Sequence, residues 1–96
     1  MSVTYTNIST RPNTDVAWFN SGNIPSDVQS DIDAYKSAGK IISLTTTGAD
    51  TTKVKLVSVF NNETSAKEFW AEANIRDFRN QRDTYNAANG ITRAAE

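Results

Sequence analysis

The spacing of apolar positions switches between two and three-to-four along this chain, and each switch predicts an element. Over 2–9, SVTYTNIS, Val3, Tyr5 and Asn7 share one side and Thr4, Thr6 and Ile8 the other. That period of two, in β-rich residues, predicts a strand. Arg11-Pro12-Asn13-Thr14 punctuates it, and residues 15–24 read as irregular, with Val16, Trp18, Phe19 and Ile24 as anchors into the core. Ser26-Asp27-Val28-Gln29 follows Pro25 and fits a capping box. Val28, Ile32 and Tyr35 then form one face of a helix over 26–38, which Gly39 ends.

Residues 40–47 and 51–60 read as two strands around Gly48-Ala49-Asp50, a connection short enough to make an antiparallel hairpin. Asn61 to Ser65 is a cluster of capping residues. Ala66, Phe69, Trp70 and Ala73 then form a helical stripe. The next apolar residues, Ile75 and Phe78, fall on a shifted phase. The shift predicts a break at Asn74, which would cap a second helix running to about Ala88. Asn89-Gly90 stops that helix, and 91–95 form a short last strand. The order βαββαβ is that of a ferredoxin-like α+β domain: a four-stranded antiparallel sheet with its helices on one face, all 96 residues forming a single domain.

The hairpin does not alternate as a half-solvated sheet should. Val54, Leu56, Ser58 and Phe60 fall on one side, but Val57 and Val59 lie on the other beside Lys53 and Lys55. The expectation is that the helix-free face meets a second copy, with Val57, Val59 and one of Ile41 and Ile42 between two sheets. Composition supports this. Leu, Ile, Val and Phe together number 19, about a fifth of the chain, which is thin for a self-sufficient core.

Charge and chemistry narrow the functions. The net charge is −1, so no nucleic-acid partner is expected. With no Cys and no His, thiol chemistry, His bases and zinc fingers are excluded, and neither a metal nor a cofactor is expected. No apolar run approaches the roughly 20 residues that span a bilayer, and residues 1–20 lack a signal-peptide pattern, so no membrane is expected and the reading is cytoplasmic.

The strand and helix KVKLVSVFNNETSAKEFW, the helix IRDFRNQRDTYNAANGI and the short strand after it resemble the dimeric α+β barrel superfamily, the antibiotic-biosynthesis-monooxygenase-like domains. The chain also looks like small uncharacterised proteins of marine viruses and environmental samples. The resemblance implies a homodimer. It spans cofactor-free oxygenases, haem-degrading enzymes, isomerase-like enzymes and proteins with no known activity, and it carries no catalytic signature here. Haem degradation is set aside for want of an axial His.

A few side chains stand out on this frame. Cofactor-free oxygenases of this type often use Asn and Trp beside a cleft, which nominates Asn7, Trp18 and Trp70; the simpler reading makes Trp70 core and Trp18 a plug at the barrel end. Asp27, Asp31 and Asp33 read as a solvated face rather than a cation site. Arg76, Arg79 and Arg82 recur every third residue, with Glu72–Arg76 and Arg79–Asp83 spaced for helix ion pairs. Arg82 is different, because steps of +3, +4 and +3 align it with Ile75, Phe78 and Tyr85 on the apolar stripe. A guanidinium there needs a partner or a cleft, with Glu68, Glu72 and Asp15 as the candidate acids. The expected site is a pocket between helices and sheet, with Arg82, Trp18, Phe78 and Asn7 as ligand-binding residues and no catalytic residue assigned. The function expected is a small homodimeric domain that binds a small molecule. The alternative is a cofactor-independent monooxygenase or isomerase for a small aromatic or polyketide-like compound.

Overall fold

A computed structural model describes residues 2–19 and 24–95. The elements are β1 (Val3–Thr10), α1 (Ser26–Ser37), β2 (Ile41–Thr47), β3 (Lys53–Phe60), α2 (Glu63–Ala71), α3 (Ala73–Asn89) and β4 (Thr92–Ala95). All strand pairs are antiparallel, in the order β2-β3-β1-β4. This is the expected ferredoxin-like α+β domain, its second helix divided in two. Among the described residues, no helix is long and apolar enough to cross a membrane.

Register decides which side chains meet the helices. Val3 pairs with Phe60, Tyr5 with Ser58, Asn7 with Leu56 and Ser9 with Val54. Successive strand residues point to opposite faces, so these eight share one side of the sheet. The core forms there: Phe60 and Ile41 from the sheet meet Val28 and Ile32 of α1, Ala66 and Phe69 of α2 and Ile75 of α3. Phe60 is 1% exposed, with the rings of Tyr5, Phe69 and Trp70 at 6.1, 5.9 and 5.6 Å. Edge and tilted ring pairs of this kind add to what burial alone supplies. Trp70 therefore belongs to the core, as its stripe implied.

The opposite face carries Thr4, Thr6 and Ile8 of β1 and Val57 and Val59 of β3, and the core lies wholly on the other side. β2 has a bulge between Ile41 and Ser43: Ile41 faces Phe60, Ser43 faces Val59, and Ile42 between them stands 57% exposed.

Local chemistry sets the helix ends, in places differently from expectation. Pro25 precedes α1 as its cap, and no side chain caps it. Ser26 is already helical, and the Gln29 side chain donates forward to Asp33 instead of back to Ser26, so the capping box does not form. At the other end the Gly39 and Lys40 amides donate to Lys36 and Tyr35 carbonyls at 3.0 and 2.9 Å. That pattern requires the left-handed conformation Gly39 adopts, at φ 74°. Asn62 caps α2, accepting from the Ser65 amide at 2.8 Å.

The helix break lies at Glu72, two residues before the expected Asn74, which sits inside α3 and caps nothing. Glu72 is extended, at φ −58° and ψ 135°. Its amide still donates to Phe69 while its carbonyl accepts from Arg76, so one residue ends α2 and begins α3. Ala73, expected on the buried stripe, is exposed because the break turns it outward.

The Glu72 carboxylate accepts from the Tyr35 hydroxyl at 2.8 Å, tying α1 to the break. Burial first, then this hydrogen bond and the negative charges of Glu72, Glu68 and Asp31, push the Tyr35 hydroxyl up to about 12. A group whose folded pKa is raised contributes stability below its unfolded value, near 10 for Tyr, and loses it as pH rises toward the folded value. Stability should therefore fall more steeply between about pH 10 and 12 in the unmodified protein than in Tyr35→Phe. Urea midpoints measured across that range check this; parallel curves would rule it out.

Candidate functional site

The segment after β1 folds back over the sheet, and one buried cation holds it there. Arg11 is 7% exposed. Its guanidinium donates to the carbonyls of Thr51 and Val16 at 2.8 Å each and Ala49 at 3.4 Å, and lies 4.7 Å from the Trp18 ring centre. The Trp18 indole N–H donates to the Ala49 carbonyl at 2.6 Å. Gly48 shapes the turn that presents these carbonyls; at φ 80°, a Cβ there would sit 2.6 Å from the Lys53 carbonyl oxygen.

From the other side, α3 meets the same segment. The Tyr85 hydroxyl donates to the Ala17 carbonyl at 2.6 Å, and the Phe19 ring packs on Phe78 and Tyr85 at 5.2 and 5.7 Å. Val16, Trp18 and Phe19 are thus partly buried, as expected of anchors. Ile24 is not one, being 49% exposed, and residues 20–23 of that segment lie outside the described residues.

Between this segment, the sheet and α3 lies a cleft of about 150 Å³, lined by Ser9, Val54, Trp18, Phe19, Phe78, Arg82 and Asn86. An open cleft of that size holds one benzene-sized ring, with any substituent at its mouth. The structure brings together three of the four residues expected to bind a ligand: Trp18, Phe78 and Arg82. Asn7 lies on the same face of β1 but one step farther along it, opposite Leu56 and Ala95, and does not line the cleft; Ser9 takes that position.

Asn86 was not foreseen. The residue is 8% exposed, and its side-chain amide bonds to no described residue but is not among the fully buried unsatisfied atoms, while its backbone carbonyl accepts from the Ile91 amide at the helix end. On the cleft wall that amide offers a guest both a donor and an acceptor.

Arg82 reaches none of the three candidate acids. It donates to Asp83 Oδ1 through Nε and Nη2, at 3.1 and 2.9 Å, with its own side chain only 17% exposed. Asp83 therefore pairs with Arg82 rather than Arg79. The Glu72–Arg76 ion pair also fails to form, and Glu72 accepts from Tyr35 instead. Arg79 instead lies over Trp70, at 5.7 Å from the ring centre.

The second unforeseen residue is Arg93. It pairs with Ser9 across β1 and β4, which places it on the cleft side of the sheet. It has no ion pair or hydrogen bond to any described residue. Burial first, then the positive charges of Arg82 and Arg79, pull its guanidinium down to about 10, with Asp83 alone opposing. The sequence did hold a signal for it: alternation from the apolar Ile91 puts Arg93 on the helix-covered side. The acidic residues of α1 assemble nothing comparable, and no group of three or more metal-ligating side chains occurs among the described residues.

Fold and cleft together define a ferredoxin-like α+β domain with a small aromatic-walled cleft that Arg82 also lines. No protein-family model matches the chain, and no curated protein matches it. Among solved structures, the chain is similar to Rv0793 from Mycobacterium tuberculosis, at 12% identity, covering 100% of this chain and 93% of that one, with a TM-score of 0.48. It is also similar to the structural-genomics protein YJCS, at 10% identity, covering 98% and 97%, with a TM-score of 0.42.

Proposed function

We propose that this domain binds a small, partly aromatic molecule in the cleft between β1, β3 and α3. The observation that carries the reading is the wall itself: three aromatic rings face a space of about 150 Å³ that Asn86 also lines, with a side-chain amide free to bond a guest. Apolar walls with a few convergent polar groups are the usual makeup of a small-molecule site. An oxygenase or isomerase would also need a group to take the proton that leaves a substrate carbanion. Ser9, Asn86 and Arg82 offer a hydroxyl, an amide and a guanidinium, which bind and orient but abstract no proton at neutral pH. Benzamide and benzoate are suitable probes of the cleft. Titration followed by NMR should shift the backbone amides of Ser9, Phe19 and Phe78 and the Asn86 side-chain amide. Shifts scattered over the surface, or none with either probe, would remove the reading.

We also propose that the domain works as a two-fold dimer through its helix-free face. Four strands of 8, 7, 8 and 4 residues, at about 3.3 Å per residue and about 4.8 Å apart, offer roughly 430 Å² per copy. Two copies reach about 860 Å², the size of a weak interface, so the dimer needs the flanking turns as well as the strands. Val57, Val59 and Ile8 stand in that area with threonine methyls around them, and all three are partly buried even in one copy. Val59→Lys should convert a dimer to a monomer in light scattering at micromolar concentration, because an unpaired charge buried between sheets costs several kcal/mol. A monomeric unmodified protein would dispose of the dimer.

A further inference from the structure

We infer that the cleft selects an anionic guest, a small aromatic carboxylate, and that Arg93 is the residue that anchors its charge. The inference rests on the cleft being a ligand site and adds the chemistry of what enters it.

Three guanidiniums gather at this edge of the sheet. Arg82 lines the cleft, and Arg93, outside the lining itself, is the cross-strand neighbour of the lining residue Ser9 on the same face of the sheet. Arg79, one turn before Arg82 on α3, acts on Arg93 together with Arg82. One carboxylate, Asp83, answers them. It engages Arg82 alone and is itself exposed, and no ion pair or hydrogen bond to a described residue reaches Arg93. Half-burying a guanidinium near two others without a partner is unfavourable in the empty protein. An anion placed between Arg82 and Arg93 relieves both costs at once. A planar carboxylate fits best, because a guanidinium meets it through two parallel N–H donors. The walls fix the rest of the guest: Trp18, Phe19 and Phe78 suit one flat ring, and the volume admits little more. Asn86 then has a polar edge to bond.

Binding of benzoate, benzamide and inorganic phosphate to the unmodified protein, Arg93→Met and Arg93→Lys tests this. Benzoate should bind at least tenfold tighter than benzamide, which has the same shape without the charge, and tighter than phosphate, which has charge without the ring. Arg93→Met should abolish that preference and leave benzamide binding unchanged, and Arg93→Lys should keep part of it. The ligand-free Arg93→Met protein should melt no lower than the unmodified one, since it loses a repulsion and no partner. Equal affinity for benzoate and benzamide, or a preference that survives Arg93→Met, overturns the anionic guest and leaves the cleft as a neutral site. Phosphate binding tighter than benzoate overturns the carboxylate. Binding of neither aromatic probe defeats this inference and the cleft reading together. A melting point lowered in Arg93→Met, with benzoate binding intact, makes Arg93 structural and also overturns it.

Discussion

Phe60→Ala is expected to lower the stability of the domain by about 3–5 kcal/mol, the range for emptying a buried aromatic position. Phe60 is the residue at which the layers meet. It leaves β3 on the helix-covered side, is 1% exposed, and touches the rings of Tyr5, Phe69 and Trp70. None of those neighbours can close the hole readily. Tyr5 is fixed by its strand, Phe69 by α2, and Trp70 lies between the Tyr5 ring and the Arg79 guanidinium. Domains of this size are stable by about 5–15 kcal/mol in all, so the substitution removes a large share or unfolds the chain outright. Urea unfolding followed by Trp fluorescence measures it. A loss under about 1 kcal/mol would mean that the core is not organised around this ring.

Arg11→Met should have the second largest effect, about 2–4 kcal/mol, and a different signature. The substitution keeps most of the stem and removes donors to three carbonyls, those of Val16, Ala49 and Thr51. Charged hydrogen bonds contribute roughly 1.5–3 kcal/mol each, but these carbonyls are near enough to the surface to recover water in part. The cation over Trp18 is lost too. The segment over 11–19 then loses its hold on the 48–52 turn, and with it goes one wall of the cleft. Benzoate binding should weaken together with stability, and a red shift of Trp fluorescence should accompany both. A variant that loses stability but keeps a full-affinity cleft would show that Tyr85 and Phe19 alone position the wall.

These residues also mark what the sequence disclosed. Elements whose periodicity ran over several residues were legible: alternation in β1 and β3, and the stripe Val28, Ile32, Tyr35 in α1. The phase shift from Trp70 to Ile75 disclosed a break, but its place coincides with a contact between distant residues, Tyr35 with Glu72, that no local pattern displays. Proximity to Asn74, a good capping residue, pointed to the wrong position. Arg11 looked like the end of a strand because its three acceptors are backbone carbonyls, which no side-chain pattern displays. Arg82 was legible as an anomaly on an apolar stripe, though not its partner, since an adjacent aspartate reached it before any acid from another element. Asn86 carried no signal, because an asparagine near a helix end ordinarily belongs to the cap. Trp18 and Phe78 were found as large rings needing cover, and the cleft exists because that cover is incomplete.

The bulge at Ile41–Ser43 bears on how this protein behaves when crowded. β2 is an outer strand with a free row of amides and carbonyls along one side, and such a row templates the addition of further strands from other molecules. The extra residue interrupts the regular spacing of that row near its start and increases the local twist. A strand arriving from a neighbour could stay in step only along 43–47, too short a stretch, and rich in threonine, to seed a growing fibril. Deleting Ile42 would restore an unbroken edge of regular pitch, so the residue that the bulge leaves 57% exposed works against strand addition along this side of the sheet.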